Sequence, residues 1–547
     1  MTVAVTLGAL LLGPVAACQS PSPTPAPTSP TSAAPSSPSP APNTPIAVSA
    51  DTMATDLRPA NVEDPSTERV VGLLLRGLVR YDAKGKAVNE AAASIDTTDN
   101  RLFEVRLQRD WTFADGEPVT AASFVDAWNY AARLETGQYR AAAFTPILGF
   151  EAVRRRPGEP GAARDLAGLE VRDAHTFTIT LTQPQPGFVE RLGNLAFAPL
   201  PRAALTDPAA WSRQPVGNGP YRLDGTWPAQ PGAGSTISLR PNPTYRGTGA
   251  PQNAGIDFRI HDSPDAAYAD FVAGRLDVLD RVPLTQVATY QTEFGARATN
   301  QPVGVAQSIV FPLARDPWQG KAGLLRRRAI STALDRADLT DRVLSRTGLP
   351  ATDLSAPVVE GYSADLCTTW CRHDTDTAVA TLVQGGGMAQ PLTLAFAADS
   401  GDGPLVSAMC EAVRTTLRIG CTPRPHPTLL ALREAIALGT ETGPYLETWR
   451  MARPALAAFL VPRFTTGSPD NGSGYSDALV DTRLSTASTA PTARQPSDYQ
   501  DVEAQILATL PVVPLWSRHA VGATGPDVSQ VRTDVFGTPV YAEIRRP

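Results

Sequence analysis

The chain has 547 residues, with 48 basic and 54 acidic side chains and a net charge of −6. At roughly 100 to 200 residues per domain it holds about three domains, which excludes a small disulfide-stapled module. No block of like charge is long enough to track a phosphate backbone, which argues against nucleic acid as a partner.

The first element in chain order is the apolar run from Val3 to Ala17. It is too short to favour a stable membrane span. The run ends in Val15-Ala16-Ala17-Cys18, with the small residues of an export signal and a cysteine where cleavage falls, although no Lys or Arg precedes it. This junction resembles a bacterial lipobox, which implies removal of residues 1–17 and lipidation of Cys18. Residues 18–45 are dominated by Pro, Ser, Thr and Ala, with ten prolines between Pro21 and Pro45. Such a tract buries too little apolar surface to fold and reads as an extended tether, reaching about 80 Å at about 3.1 Å per residue. The expected location is the outer face of the bacterial cytoplasmic membrane, with the lipid on Cys18 as the membrane contact.

Beyond the tether, Phe103, Val105 and Leu107, then Phe177, Ile179 and Leu181, then Ile256, Phe258 and Ile260 alternate with polar residues and predict half-buried strands. Thr120 opens a helix carrying Phe124 and Trp128 on one face. Ser263 and Pro264 open another that stops at Gly274, and Leu324 to Leu344 is a third helical zone. Strands and helices mix throughout without an internal repeat, which predicts an α/β (mixed α+β) fold.

Catalytic signatures are missing. No serine lies in a Gly-x-Ser-x-Gly elbow, and no Gly-x-x-x-x-Gly-Lys-Ser/Thr loop cradles phosphate. The five histidines (His175, His261, His373, His426, His519) form no His-Glu-x-x-His. The expectation is a protein that is not an enzyme and carries no cofactor or metal. Once Cys18 is set aside, Cys367, Cys371, Cys410 and Cys421 make an even count in an exported chain and read as two disulfides. Close spacing favours Cys367 with Cys371 and Cys410 with Cys421, although spacing does not fix connectivity. The alternative is a metal site of Cys367, Cys371 and His373 with Cys410 or Cys421.

Several segments resemble, in order, those of the family 5 extracellular solute-binding proteins, the peptide-binding receptors of bacterial ABC importers. They are Glu68 to Asp82; Trp111-Thr112-Phe113-Ala114-Asp115-Gly116-Glu117-Pro118-Val119-Thr120-Ala121; Val216-Gly217-Asn218-Gly219-Pro220-Tyr221; Arg240-Pro241-Asn242-Pro243-Thr244-Tyr245; Ala273 to Val278; and Arg328 to Arg336. Asn471 to Asp481 and Pro511 to Trp516 resemble its late elements. The resemblance implies a two-lobed fold hinged around the ligand. Lobe I combines 46–80, 195–300 and 505–547, an inserted domain II spans 81–194, and lobe III spans 301–504.

The same resemblance nominates the site. In the peptide receptors a Trp-x-Ala-Asp-Tyr segment sets an aspartate against the ligand's ammonium group. Here the segment is Trp449-Arg450-Met451-Ala452-Arg453-Pro454, so Ala452 stands at the aspartate's place. Arg450 and Arg453 offer positive charge instead, and Trp449 offers an apolar wall or ordinary core. Tyr139, Asn471 and Tyr475 complete the ligand candidates, with Asp470 or Glu447 as substitute partners for an ammonium. The implied partners are a peptide or other small solute and ABC permease subunits, with the protein acting as a monomer. A glycan, opine, metal chelate or haem as solute, or a non-transport envelope scaffold, are the alternatives.

Overall fold

The computed structural model describes residues 43–547 apart from Glu63 and Thr368. The leader, Cys18 and the tether up to residue 42 lie outside the described residues.

An eleven-stranded sheet runs through both halves of the molecule. At its centre the Ile46–Ala50 strand is buried at all five positions. It pairs in parallel with Ile256–Ile260 on one side and at Val48 with Val278 on the other. Burial on both faces explains why its sequence is apolar without alternation. Thr236–Pro241 and Tyr221–Leu223 extend this side by antiparallel pairing. At the other end Leu392–Ala397 lies between Cys421–His426 and Tyr445–Arg450, parallel to both.

Two long strands, Ala298–Val310 and Val512–Thr524, join these ends. They pair antiparallel along most of their length, with register shifts between Pro302 and Ala306 and between Gln307 and Ser308. A separate four-stranded sheet uses Ala92–Thr97, Leu102–Leu107, Thr176–Thr180 and Leu169–Asp173. The alternating strands expected near 103, 177 and 256 are therefore present.

The helices also begin where the sequence places their caps. Ala121–Ala132 follows Thr120, whose side chain and that of Ser123 form a capping box. Pro264–Val272 follows Ser263, whose hydroxyl accepts from Ala266 N at 3.2 Å. The single helical zone expected over 324–344 is corrected to two helices, Gly320–Ala333 and Arg336–Arg342. Asp335 interrupts it, because its carboxylate accepts from Asp338 N at 3.0 Å and caps the second helix.

Two large cores result. One joins Ile46, Val48 and Phe258 to the aromatic cluster of Phe103, Phe124, Trp128 and Phe177, and closes on Tyr541. The other gathers Phe311, Trp318, Phe459, Phe464 and Trp516. The cysteines of the second half are bonded as Cys367–Cys371 and Cys410–Cys421. Their sulfurs are thus committed to one another rather than to the alternative metal set.

Candidate ligand-binding site

The charged residues of the two halves meet where the sheet crosses between them. On the first half the Pro65–Leu74 helix starts at Asp64, whose carboxylate accepts from Thr67 N at 2.7 Å. The hydroxyls of Ser66 and Thr67 accept from Asp51 N at 3.1 Å and Ala54 N at 2.7 Å. This ties the loop after the central strand to the helix and sets Glu68 and Arg69 beside it.

Each of these charges has a counter-ion. Arg69 pairs with Asp280, which also accepts from the Ser49 hydroxyl at 2.6 Å. Arg281 pairs with Asp51 at 2.8 Å. Arg140 holds both oxygens of Glu68 at 2.9 Å.

On the second half Gln307 organises the polar face of the sheet. Its amide donates to Asp402 at 3.1 Å and to the Thr448 hydroxyl at 2.8 Å, and its carbonyl accepts from Trp516 Nε1 at 2.5 Å. Arg518 reaches the same carbonyl at 3.3 Å and Asp402 at 3.4 Å. Arg450 ends the Tyr445–Arg450 strand opposite Val305, two residues from Thr448 and so on the same face.

Arg450 is exposed, yet desolvation holds its pKa below the ordinary arginine value, and Arg281, Glu68, Arg518 and Arg69 act on its charge. A side chain that water touches but protein surrounds lies in a concavity, and these neighbours come from both halves. Arg69, Arg281 and Arg518 each have a carboxylate. The Arg450 side chain makes no hydrogen bond or ion pair among the described residues.

Two carboxyls share this enclosed but wet setting. Asp399 and Asp470 are both exposed, and desolvation raises the pKa of each. Asp399 accepts from Leu429 N at 3.3 Å and is acted on by Arg281 and Asp51 of the first half. Asp470 is drawn down by Arg433 and pushed up by Glu447. Arg433, on the Leu429–Ala437 helix, donates to the Tyr139 hydroxyl at 2.7 Å and lies 5.6 Å from its ring centroid. A further junction sets Arg453 at 3.7 Å from Glu190. Arg191 is pressed down there to about 10 by desolvation and by Arg453.

Of the residues nominated from sequence, Tyr139, Arg450 and Asp470 stand at this seam. Arg453 stands at the separate junction with Glu190. Trp449 points to the opposite face, where its Nε1 donates to Ala458 O at 2.9 Å and Arg463 lies 5.6 Å from its ring. Glu447 pairs with the buried Arg463 at 2.7 Å.

Asn471 is committed within its own loop. It donates to Thr465 O and Tyr475 O and accepts from Tyr475 N and Ser473 Oγ. Tyr475 is 5% exposed and sits edge-on to Phe464. Ala452 is exposed. Sequence reasoning did not find Arg281, Asp399, Arg433 or Arg518 for this site. They carry no shared spacing, and only the topology of the sheet assembles them.

The sequence pattern of "Bacterial extracellular solute-binding proteins, family 5 Middle" matches residues 86–428. The periplasmic murein peptide-binding protein MppA of Escherichia coli is 26% identical over 313 residues, 56% of this chain and 56% of MppA. The probable deoxycholate-binding periplasmic protein YgiS of the same organism is 28% identical over 317 residues, 56% of each chain. The chain spans about half the length of the curated relatives it matches. In three dimensions it superposes on the E. coli MppA structure with a TM-score of 0.81 at 21% identity, covering 92% of this chain and 98% of that one. Against the unliganded open form of MppA the TM-score is 0.70 at 22% identity, covering 92% of this chain and 97% of that one.

Proposed function

Because the chain belongs to the bacterial extracellular solute-binding proteins of family 5, we propose that it captures peptides outside the cytoplasm by closure of its two halves and delivers them to an ABC importer. In this reading it is held at the membrane through Cys18 and the Pro-rich tether. The lobes follow the boundaries given above: 46–80, 195–300 and 505–547 for lobe I, 81–194 for domain II and 301–504 for lobe III. The shifted register of the Ala298–Val310 and Val512–Thr524 pair serves as the hinge, since an interrupted ladder bends more readily than a regular one.

The observation that carries the proposal is the seam itself. Polar groups from both halves meet there, with Arg433 donating to the Tyr139 hydroxyl at 2.7 Å and Arg453 lying 3.7 Å from Glu190, and ligand sites form between domains in this way.

A peptide bound here has no anionic partner for its ammonium at Ala452, and a desolvated ammonium without one costs several kcal/mol. Glu447 is engaged by Arg463. Ligand affinity therefore does not rest on a free N-terminus at that position. Calorimetry with a matched pair of free and N-acetylated peptides tests this, with the two expected to bind within about tenfold of each other, a difference of about 1.4 kcal/mol. A loss of a hundredfold or more on acetylation contradicts it, and Asp470→Asn then reveals whether Asp470 supplies the anchor. A non-peptide solute is the second reading, favoured by the same absence of a carboxylate at position 452. Binding of deoxycholate with no binding of either peptide would select it.

A further inference from the structure

Building on the closure reading above, we propose that Tyr139 and Arg433 form a latch across the seam, which holds the two halves together through protein groups alone and so sets how fast a captured ligand leaves. The Arg433 guanidinium donates to the Tyr139 hydroxyl at 2.7 Å and lies 5.6 Å from the centroid of its ring. One cation thus meets both the acceptor oxygen and the negative face of a single side chain.

The two sides of the contact differ in firmness. Tyr139 is 44% exposed, but its backbone is fixed to the first half. Its N–H donates to Asn61 Oδ1 at 3.2 Å, and the next residue, Arg140, donates to Ala60 O and Val62 O at 2.8 Å and to both oxygens of Glu68 at 2.9 Å. The partner helix, Leu429–Ala437, is held to the second half more lightly. Only Leu432 of its nine residues is buried, while Leu429 and Leu430 are 46% and 65% exposed. An element with so few buried contacts opens at low cost in free energy. Leu429 and Leu430 precede Arg433 by four and three residues and share its face of the helix, so the phenol grips the face that the second half leaves uncovered.

The halves also touch where Arg453 lies 3.7 Å from Glu190 and where Pro454 packs on Gly85, close enough that a Cβ on Gly85 would come within 2.6 Å of the Pro454 ring. There the backbone itself is in contact. At the latch only two side-chain tips meet, so it parts without disturbing a core.

The test uses the full chain, Tyr139→Phe, Arg433→Gln and the double variant, with melting temperature as the check on folding. Hydrogen exchange of the ligand-free proteins, read by mass spectrometry over residues 429–437, comes first. Tyr139→Phe keeps the ring and lies in the other half, yet it is expected to speed exchange of these amides by about threefold or more. Adding Tyr139→Phe to Arg433→Gln is expected to add nothing further. Unchanged exchange in Tyr139→Phe, or effects that multiply in the double variant, overturns the latch.

Dissociation of tritiated tetra-alanine and tritiated Ala-Gln-Ala-Gln into an excess of unlabelled peptide then reads the functional consequence. Both peptides are expected to leave each single variant about threefold to tenfold faster than the wild type, and by the same factor as each other, because a latch acts on the protein and not on the ligand. A change confined to one peptide makes Tyr139 a ligand contact and overturns the proposal, as does no change in either. If neither peptide binds while exchange in the helix depends on Tyr139, the peptide reading fails and the latch stands.

Discussion

Two sets of arginines in the second half of the molecule face opposite situations. Arg327 and Arg336 are 5% and 3% exposed and have no carboxylate partner, yet every side of each is furnished. Arg336 donates to Pro514 O at 2.7 Å, to Ser331 O and Cys371 O at 3.0 Å, and to the Ser331 hydroxyl at 2.8 Å. Arg327 donates to Leu510 O, Trp318 O and Thr509 O. Burial lowers both to about 10, which leaves them charged at neutral pH.

Arg450 is also desolvated, but its fork is bare. The difference teaches how to tell scaffold from site in this fold. A cation that serves the structure is caged by backbone carbonyls, whereas the Arg450 side chain keeps its donors unpaired among the described residues while water reaches it.

The carboxyls repeat the contrast. Glu503 is fully buried, accepts from Leu354 N at 2.6 Å and shares its pocket with Asp353, so desolvation and that second carboxyl raise its pKa well above the ordinary value. Asp470 is raised as well, but it is exposed, and Arg433 of the same half draws it back down.

The sharpest break of the comparison would come from Arg336→Met. It strands the carbonyls of Pro514, Ser331 and Cys371 and should lower unfolding free energy by about 3 to 5 kcal/mol in urea denaturation. Arg450→Gln in the same assay should change it by less than about 0.5 kcal/mol. A reversal of that order would mean that Arg450 is structural. Next in size is the Cys410–Cys421 bond, which fastens the Gly403–Leu417 helix to the Cys421–His426 strand. Replacing both cysteines by serine should cost about 2 to 3 kcal/mol, given the short loop it closes, while ligand affinity measured by calorimetry stays the same.

The smallest effect is the pH response of Glu503. Because folding raises its pKa, the stability it contributes is complete below its ordinary value of 4.5 and is lost as pH climbs through the folded value. Denaturation at a series of pH values should show that decline in the wild type and a flatter profile in Glu503→Gln. An unchanged slope would show that Glu503 is ionised in the folded protein.

The segments by which the fold was legible in the sequence belong to the scaffold. Asn218 is fully buried. It donates to Arg76 O and accepts from Arg76 N, both at 2.9 Å, and its own carbonyl receives Trp111 Nε1 at 3.2 Å. Asn242 donates to Gly219 O at 2.9 Å, so four of the recognised segments lock together. Gly217 and Gly219 are required there because a Cβ at either position would collide with the backbone of Leu74. Such contacts fix residue identity at fixed spacing, and spacing is what a sequence displays.

The site was legible only in part. Tyr139 and Arg450 stand at the seam, but Trp449, Asn471 and Tyr475 are engaged within the second half. Alternation along a strand decides that outcome: Trp449 and Arg450 are adjacent and face opposite sides. Arg281, Asp399, Arg433 and Arg518 reach the seam from four separate segments, so no local pattern announces them.

The central claim, that the seam between the two halves holds a peptide, is tested most directly by native mass spectrometry of protein freshly purified from cells. The protein should carry an adduct whose fragments are those of a peptide, and protein freed of it should take up added peptide. An adduct that is not a peptide, or no adduct and no uptake of added peptide, would contradict the account.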